Sequence, residues 1–568
     1  GRPCSGSRFE KYDTEVTASS QSFAIPLFQE SKLAVSTNMA RSSYGRVDKG
    51  IWLSLLAILP LVSATSNIQV NPDRNFFVDA QGRERFFHGV NAVYKQPPYH
   101  PSTAEWSATE SLNAQDAKQL SDWGFNVVRL GVMWSGVEPV QGEYNMTYLD
   151  EISKIVGYLG DENIYTILDM HQDVLARDFC GNGIPSWAAQ IASNESHAFP
   201  LPAHFPFKLD EDSLPSLDNC LDHDFITYYF SGAVSKAFQS LYDNKYGLLD
   251  AFTAYWKLVA QTFKDEEFVL GYEIINEPWA GDIYSDPRRI FTAESNALVP
   301  FYNTVHDAIR SVDDDKIVFY EPLTYDVWPV GFDSIPVGGE EYASKSAMSY
   351  HIYCPLAGGN TTPMELKVAC QVIDWDFFHQ RVHDIKRIGG GGIMTEWGSL
   401  SNTGLDLAEM NHVLRLADDY LQSHIYWQYK DYHDITCTGD GGISLYPEGE
   451  IQDDKVKILA RTYAEAVAGQ TKKMKFHEKI NWFFLNYVPS ASEDDEARTT
   501  VVRVDREHWY TRGVEVDVDW GEGREEGKVE CSEDGREIRI SHEDATGDDE
   551  IKVKITPCRK LIKHMCTC

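Results

Sequence analysis

Residues 269–284 read VLGYEIINEPWAGDIY, and the fold follows from them. Residues 269–275 are apolar or β-branched, with Glu273 inside the run, and they stop at Asn276, Glu277 and Pro278. Proline cannot continue a strand ladder, so the pattern is a buried strand that carries a carboxylate to its C-terminal tip. A second such strand ends in GIMTEWG, residues 392–398, at Glu396 and Trp397. A lone glutamate in this position reads as a solvated loop carboxylate. Two, in matching contexts with aromatic neighbours, read as a pair able to do acid/base chemistry on one bond.

Working outward, short apolar strands are predicted at 85–93, 127–134, 165–171, 269–275, 316–321, 347–353, 392–395 and 424–429. Stretches of helical period alternate with them at 110–123, 148–160, 225–263, 293–312, 375–388 and 406–422. Strands alternating with amphipathic helices make an α/β protein with a parallel sheet, and eight of them close a (β/α)8 TIM barrel, here over 65–470. The connection 173–224 is long for a βα loop and is expected to form a site wall or a lid. After residue 470 the helical period stops. Alternating runs at 500–504, 513–518, 537–540 and 551–555, separated by acidic and Gly-rich turns, predict a C-terminal antiparallel β-sandwich domain over 471–558. The basic tail 559–568, with two cysteines, receives no role.

A chain of 568 residues has room for a large core and more than one domain. Its 14 Trp and 29 Tyr supply core, and also flat faces suited to stacking on sugar rings. A formal net charge of -35 argues against nucleic acid or an anionic membrane as the general partner, because the long-range field repels both. None of the ten cysteines falls in paired CxxC blocks, so disulfides are expected in a secreted chain. The expected pairs are Cys180–Cys220, Cys354–Cys370 and Cys531–Cys558, each bracketing one predicted loop or hairpin. Residues 1–64 form an N-terminal extension. Within it, Met39 to Ala64 has the parts of a secretory signal peptide: Arg41, Arg46 and Lys49, then an apolar run at 51–62 too short to span a bilayer, then small residues around Val62, Ser63 and Ala64. The expected location is secreted, extracellular or lysosomal, with the mature chain starting near Thr65; a retained signal anchor is the alternative. Sequons at Asn145, Asn194 and Asn360 fit a secretory route. The sequence carries no indicator of oligomeric state.

In such a barrel the C-terminal ends of the strands meet on one face. Glu277 follows the fourth strand and Glu396 ends the seventh. Carboxyls at roughly 5 to 5.5 Å suit a retaining glycosidase, one acting as nucleophile and the other as acid/base, in environments that must differ. Asn276 is placed to donate to a sugar hydroxyl. Arg129, in VVRLGVMW, either keeps the nucleophile ionised or forms a structural ion pair. His171 and Asp173 end the third strand in LDMHQD; His351 and Tyr353 end the sixth in SYHIYCP. His and Asp so close would suit a metal, yet no third ligand shares the spacing, so hydrogen bonds to sugar hydroxyls are expected, with no metal and no cofactor. Trp427, in IYWQYKD, would form a floor under a sugar ring. Lys95, in NAVYKQPPYHP, would donate from the rim unless it is an ordinary exposed lysine.

NEP at 276–278 together with TEWG at 395–398 resembles glycoside hydrolase family 5, of the retaining barrel glycosidases. FHGVNAVYKQPPYHP, LDMHQDVLARDFCGNGIPSWA, NEPWAGDIY, YWQYKDYHDIT and LARTYAEAVAG resemble its endoglycoceramidases, and these blocks are more specific than NEP alone. The resemblance implies hydrolysis of the β-linkage between oligosaccharide and ceramide of a glycosphingolipid, through a glycosyl-enzyme intermediate. It implies Glu277 as acid/base and Glu396 as nucleophile, with Lys95, His171, Asp173, Asn276, His351, Tyr353 and Trp427 at substrate positions. The family also carries Phe where this chain has Trp397. Residues 1–64 and those after Cys558 lie outside the resemblance. A ceramide-side groove is expected around Phe179, Trp187, Trp279, Ile283 and Tyr284, with substrate met at a membrane or micelle surface. The alternatives are a β-glucosidase acting on glucosylceramide or a steryl glucoside, a family 5 glycanase, and a catalytically dead barrel that binds glycolipid.

Overall fold

In the computed structural model the chain begins its described part with three short antiparallel strands, β1 (Gln69–Asn71), β2 (Phe76–Val78) and β3 (Glu84–Arg85). Eight parallel strands follow: β4 (His88–Ala92), β5 (Val127–Gly131), β6 (Tyr165–Asp169), β7 (Val269–Glu273), β8 (Ile317–Tyr320), β9 (Ser346–Ile352), β10 (Gly391–Trp397) and β11 (His424–Tyr426). They close into a barrel in the order β10-β11-β4-β5-β6-β7-β8-β9, the seam being the β9–β10 pair. These strands are buried almost throughout, as strands covered on both faces must be, and this is why they read as continuous apolar runs. The structure describes residues 68–192, 210, 214–223, 225–324, 329–354, 364–434, 443–522, 525–543, 549–558 and 568. The expected signal peptide, the sequons at Asn194 and Asn360, and most of the tail after Cys558 lie outside the described residues. Among those described, no helix is long and apolar enough to cross a membrane.

Inside the barrel the N-terminal end is filled by Phe87, Val127, Ile167, Ile317, Phe319, Ala347, Ile393 and Ile425, and Ile68, Val70 and Phe77 from the leading strands pack against them. The barrel is therefore a plugged core with one working face. Two expected helices are broken. The stretch 225–263 divides into Ile226–Tyr229, Gly232–Tyr242 and Leu248–Phe263. Ser231 caps the second piece through its hydroxyl, and Asn244, Tyr246 and Gly247 adopt positive φ before the third. The stretch 293–312 contains a π-helical turn, Glu294–Leu298.

The last strands are β12 (Tyr463–Val467), β13 (Gly469–His477), β14 (Trp482–Pro489), β15 (Thr499–Arg503), β16 (Val514–Asp519), β17 (Lys528–Cys531), β18 (Glu537–Ser541) and β19 (Ile551–Pro557). They form two antiparallel sheets, β1-β2-β3-β12-β15-β18-β17 and β13-β14-β19-β16, with Phe483, Leu485, Val502, Ile538, Ile540, Val553 and Ile555 among the shared core. The alternation of buried and half-buried residues in β14 is that of a sandwich strand. The boundary expected at residue 470 falls inside β13, and both β12 and the leading strands β1 to β3 already belong to a sandwich sheet.

Cys180–Cys220 and Cys354–Cys370 are bonded as expected. The third expectation fails: Cys531 is bonded to Cys568, not to Cys558, which is itself disulfide-bonded. Cys531 ends β17, the edge strand of one sheet, and Cys558 follows β19, an inner strand of the other, whose edge strand is β16. Cys568 is brought alongside β16 by two backbone hydrogen bonds with Val514.

Candidate active site

Arg129, on β5, lies at the centre of the barrel's C-terminal end and is fully buried. Its Nε donates to Glu273 Oε2 at 2.5 Å, one NH group to Glu396 Oε1 at 2.6 Å and to Asn91 Oδ1 at 3.1 Å, and the other to Asn276 Oδ1 at 2.8 Å. That second group also lies 3.1 Å from Asp169 and 3.4 Å from Glu321. The residue read from sequence as a charge partner thus serves four carboxylates from four strand ends.

Glu277 and Glu396 come together. A Glu277 oxygen, a Glu396 oxygen and a ring nitrogen of His351 all lie within 4.8 Å of one another. His351 Nδ1 is 2.9 Å from Glu277 Oε1 and 3.6 Å from Glu396 Oε2. The Tyr353 hydroxyl donates to Glu396 Oε2 at 3.0 Å, so one carboxylate is held from both sides. Local backbone aims each glutamate. In β10 the register slips between Met394, opposite Tyr350, and Glu396, opposite His351. This bulge inserts Thr395 and turns Glu396 toward His351, while Trp397 points out into the helical layer. Glu277 sits at φ 40°, a strained value for a side chain of its kind. Gln172 holds it there by donating to the carbonyls of Asn276 (2.6 Å) and Glu277 (2.9 Å), and the Glu277 N–H donates to Glu321 Oε2 at 3.1 Å.

A second group flanks the pair. His171 stacks on Trp427, ring centroids 5.3 Å apart, and Lys95 Nζ lies 4.5 Å from the same indole. Lys95 is also paired to Asp173 at 2.8 Å and to Asp434 at 3.0 Å and is buried, not poised on a rim as expected. Asp173 accepts from Asn182 in the long loop, so the start of that loop is a wall of the site.

Residues 78–433 match the family model for cellulases of glycosyl hydrolase family 5, and residues 461–555 match the family 5 C-terminal domain. An endoglycoceramidase from Cyanea nozakii is 38% identical over 82% of this chain and 90% of its own length. One from Hydra vulgaris is 36% identical over 82% of this chain and 86% of its own. The chain belongs to glycoside hydrolase family 5. Among solved structures, the ganglioside GM3 complex of endo-glycoceramidase II from Rhodococcus sp. superposes with a TM-score of 0.66 at 22% identity, over 85% of this chain and all (100%) of that one, which is a likeness of fold.

For a family 5 barrel the electrostatics divide in a useful way. Burial acts to raise the Glu396 carboxyl, but His351, Arg129 and His171 outweigh it and bring it below the usual carboxylate range, so it stays ionised. Glu321 goes the other way, pushed well up by burial and by Glu273 against the pull of Arg129. Burial works to lower His171, yet Asp169 and Asp173 raise it to about 9, and it is a cation at neutral pH. His351 is likewise raised, Glu396 and Glu277 overcoming its burial. The sets Glu277, His351, Glu396 and Glu273, Glu321, His351 have the spacing of metal ligands. Arg129 already donates to Glu273, Glu321 and Glu396, and so brings the positive charge a metal would bring.

Every residue singled out from sequence lies at this end of the family 5 barrel. Asn276 is engaged on both sides, its Oδ1 accepting from Arg129 and its Nδ2 donating to Gln172 O at 2.9 Å, which leaves its second N–H for a ligand. Sequence reasoning passed over Asp169, Gln172, Glu321 and Asp434. Asp169, Gln172 and Glu321 carry one signal, position at or just beyond the C-terminal end of an apolar strand, the same signal that marked Glu277; Asp434, well past the end of β11 at Tyr426, carries none. The expected groove changes character. Phe179 and Trp279 are buried in the core, and in the stretch just after Glu277, 278–298, Tyr284, Ile290 and Phe291 are exposed.

Proposed function

We propose that this family 5 enzyme is a retaining endoglycoceramidase, which hydrolyses the β-glycosidic bond between the oligosaccharide and the ceramide of a glycosphingolipid. The observation that carries the reading is the approach of Glu277 and Glu396, with oxygens inside 4.8 Å across His351, in a chain whose curated relatives of that name align over 82% of it. That spacing suits a covalent intermediate and leaves no room for the water an inverting enzyme places between carboxyls roughly 6.5 to 9.5 Å apart.

Glu396 is the nucleophile. Held ionised by His351 and Arg129 and positioned by the Tyr353 hydroxyl, it attacks the anomeric carbon while Glu277 gives its proton to the departing ceramide oxygen. The C–O bond to ceramide breaks as the ester to Glu396 forms. Glu277, now a carboxylate, takes a proton from water, whose oxygen displaces Glu396 and releases the sugar. Asn276, with one N–H unused, donates to a sugar hydroxyl beside the reacting carbon. Lys95, His171, Asp173 and Trp427 bind the glycan: the indole supplies a flat face, and the cations and carboxylate fix the hydroxyls. Tyr284, Ile290 and Phe291 face the lipid side, where substrate is presented by a membrane or micelle. The proposed route is secretory, which suits the disulfides Cys180–Cys220 and Cys354–Cys370.

The test is incubation of the purified protein with gangliosides and, separately, with glucosylceramide, followed by mass spectrometry. Intact oligosaccharide plus ceramide is the expected product. Glucose released from glucosylceramide with gangliosides left untouched would overturn the reading in favour of a single-glucose hydrolase.

A further inference from the structure

Behind the nucleophile strand, on the side away from the barrel interior, lies a small cavity with room for ordered water. Ile352, Tyr353 and Cys354 line it from the end of β9, Trp397 to Leu400 from the end of β10, Asp374 from helix Met364–Ile388, and Glu409 and Val413 from helix Gly404–Tyr420. Asp374 Oδ2, both Glu409 carboxylate oxygens and the Trp397 Nε1 are buried without a hydrogen-bond partner. The carboxyls are 2% and 3% exposed and Trp397 0%, so bulk water does not serve them.

Two buried carboxylates cannot both be charged without a cation beside them. Among the described residues none is there, and the only electrostatic neighbour acting on Asp374 is Glu409. The other titratable groups around the pair are Tyr353 at the end of β9 and His412, one helical turn beyond Glu409. His412 meets the Gln371 carbonyl at 3.1 Å and is pushed down by burial, so it is neutral. Arg415, further along, is engaged with Glu478 at 2.8 Å. The Cys354–Cys370 disulfide does not titrate.

We propose that Asp374 and Glu409 share one proton and, with water bridging to the Trp397 N–H, act as positioning residues that set the ends of β9 and β10 and thereby the nucleophile. An O–H···O⁻ bond between the two removes one charge and satisfies two of the orphaned oxygens. Water in the cavity takes the remaining lone pairs and accepts from the indole. The connection to the site is short in chain terms. Trp397 adjoins Glu396, and Tyr353, which donates to Glu396, adjoins Cys354, whose disulfide partner Cys370 lies one turn before Asp374. Burial and Glu409 raise Asp374 to about 9, in keeping with a held proton.

This rests on Glu396 being the nucleophile, so the experiment has one readout that involves catalysis and one that does not. Thermal unfolding of the wild type and of Asp374→Asn is followed from pH 5 to 9. A carboxyl that keeps its proton on folding costs progressively more as pH rises from its ordinary value near 4 toward 9. The wild-type Tm should fall across that range, and Asp374→Asn should flatten the fall. In parallel, turnover of p-nitrophenyl β-lactoside is measured for Asp374→Ala, Asp374→Asn and Glu409→Gln. Loss of kcat by about tenfold in the alanine variant with KM within twofold, restored by asparagine, is expected; Glu409→Gln should behave as asparagine does. An unchanged pH slope in Asp374→Asn, an alanine variant with wild-type kcat, or a rise in wild-type Tm on adding calcium, which would mean a cation in place of the proton, would each overturn the proposal. If neither the lactoside nor a ganglioside is cleaved, the functional reading fails while the pH slope still decides the pairing.

Discussion

The two ends of the barrel are made from the same strands and are physically opposite. At the N-terminal end Val127, Ile317, Phe319 and Ile393 meet in a dry apolar plug. Two or three residues further along those strands stand Arg129, Glu321 and Glu396, buried as deeply and almost all ionisable. Apolar packing is non-directional, so the plug tolerates exchange so long as its volume is kept. The charged end is held by specific pairings around one guanidinium, and removal of a member leaves buried charge behind. Stability resides at one end and chemistry at the other, in the division typical of this architecture.

The sharpest way to break the comparison is to touch chemistry without touching stability. Glu396→Gln and Glu277→Gln are each expected to lower turnover by several powers of ten, on the order of 10³ or more, with the fold preserved, as read by kinetics and circular dichroism side by side. A near-normal rate in either would remove the assigned roles. Arg129→Met should affect both properties at once, costing roughly 3 to 5 kcal/mol in chemical denaturation and abolishing turnover, because Glu273 and Glu396 lose their partner together. Phe319→Ala, at the plug, should cost about the same, roughly 3 to 5 kcal/mol, while kcat per folded molecule stays within about twofold. A large kcat loss there would mean that the two ends are not independent. Tyr353→Phe should reduce kcat by about tenfold with stability unchanged, since it removes a single hydrogen bond to Glu396.

The smallest effect expected is one of pH. His171 is raised in the folded state, so the stability gained from its charge is fully present below its unfolded value near 6.5 and is lost as pH rises through about 9. Denaturant midpoints of wild type and His171→Asn measured at pH 6 and pH 9.5 should converge at the higher pH. A gap that stays constant would show that His171 contributes through packing on Trp427 and not through charge.

The site was legible in sequence to the extent that it depends on strand ends. Glu277, Glu396, His171, His351 and Trp427 were each marked by a polar or aromatic residue closing an apolar run. Lys95 was misplaced to the rim because its partners Asp173 and Asp434 are remote in sequence, and a lysine alone carries no sign of burial. The pairing of Cys531 escapes sequence for a related reason: adjacency along the chain favours Cys558, while Cys568 is the cysteine that backbone hydrogen bonds hold against the edge strand β16. The 225–263 helix was over-extended because its apolar periodicity survives across Ser231 and Asn244, where only backbone geometry shows the breaks.

Periodicity alone determined the eight barrel strands, their alternation with helices and the change to a sandwich, but neither the breaks in 225–263 nor the sandwich strands before residue 470, because residue order records burial on one face or two and not where the backbone turns. Tertiary structure decided what register and closure control. These are the one-residue bulge that turns Glu396 to His351, the four carboxylates gathered on Arg129, and the carboxyl pair behind Trp397. Each depends on which residues of distant strands and helices lie side by side, and a slip of one position, which no local pattern reveals, exchanges the inward face for the outward one.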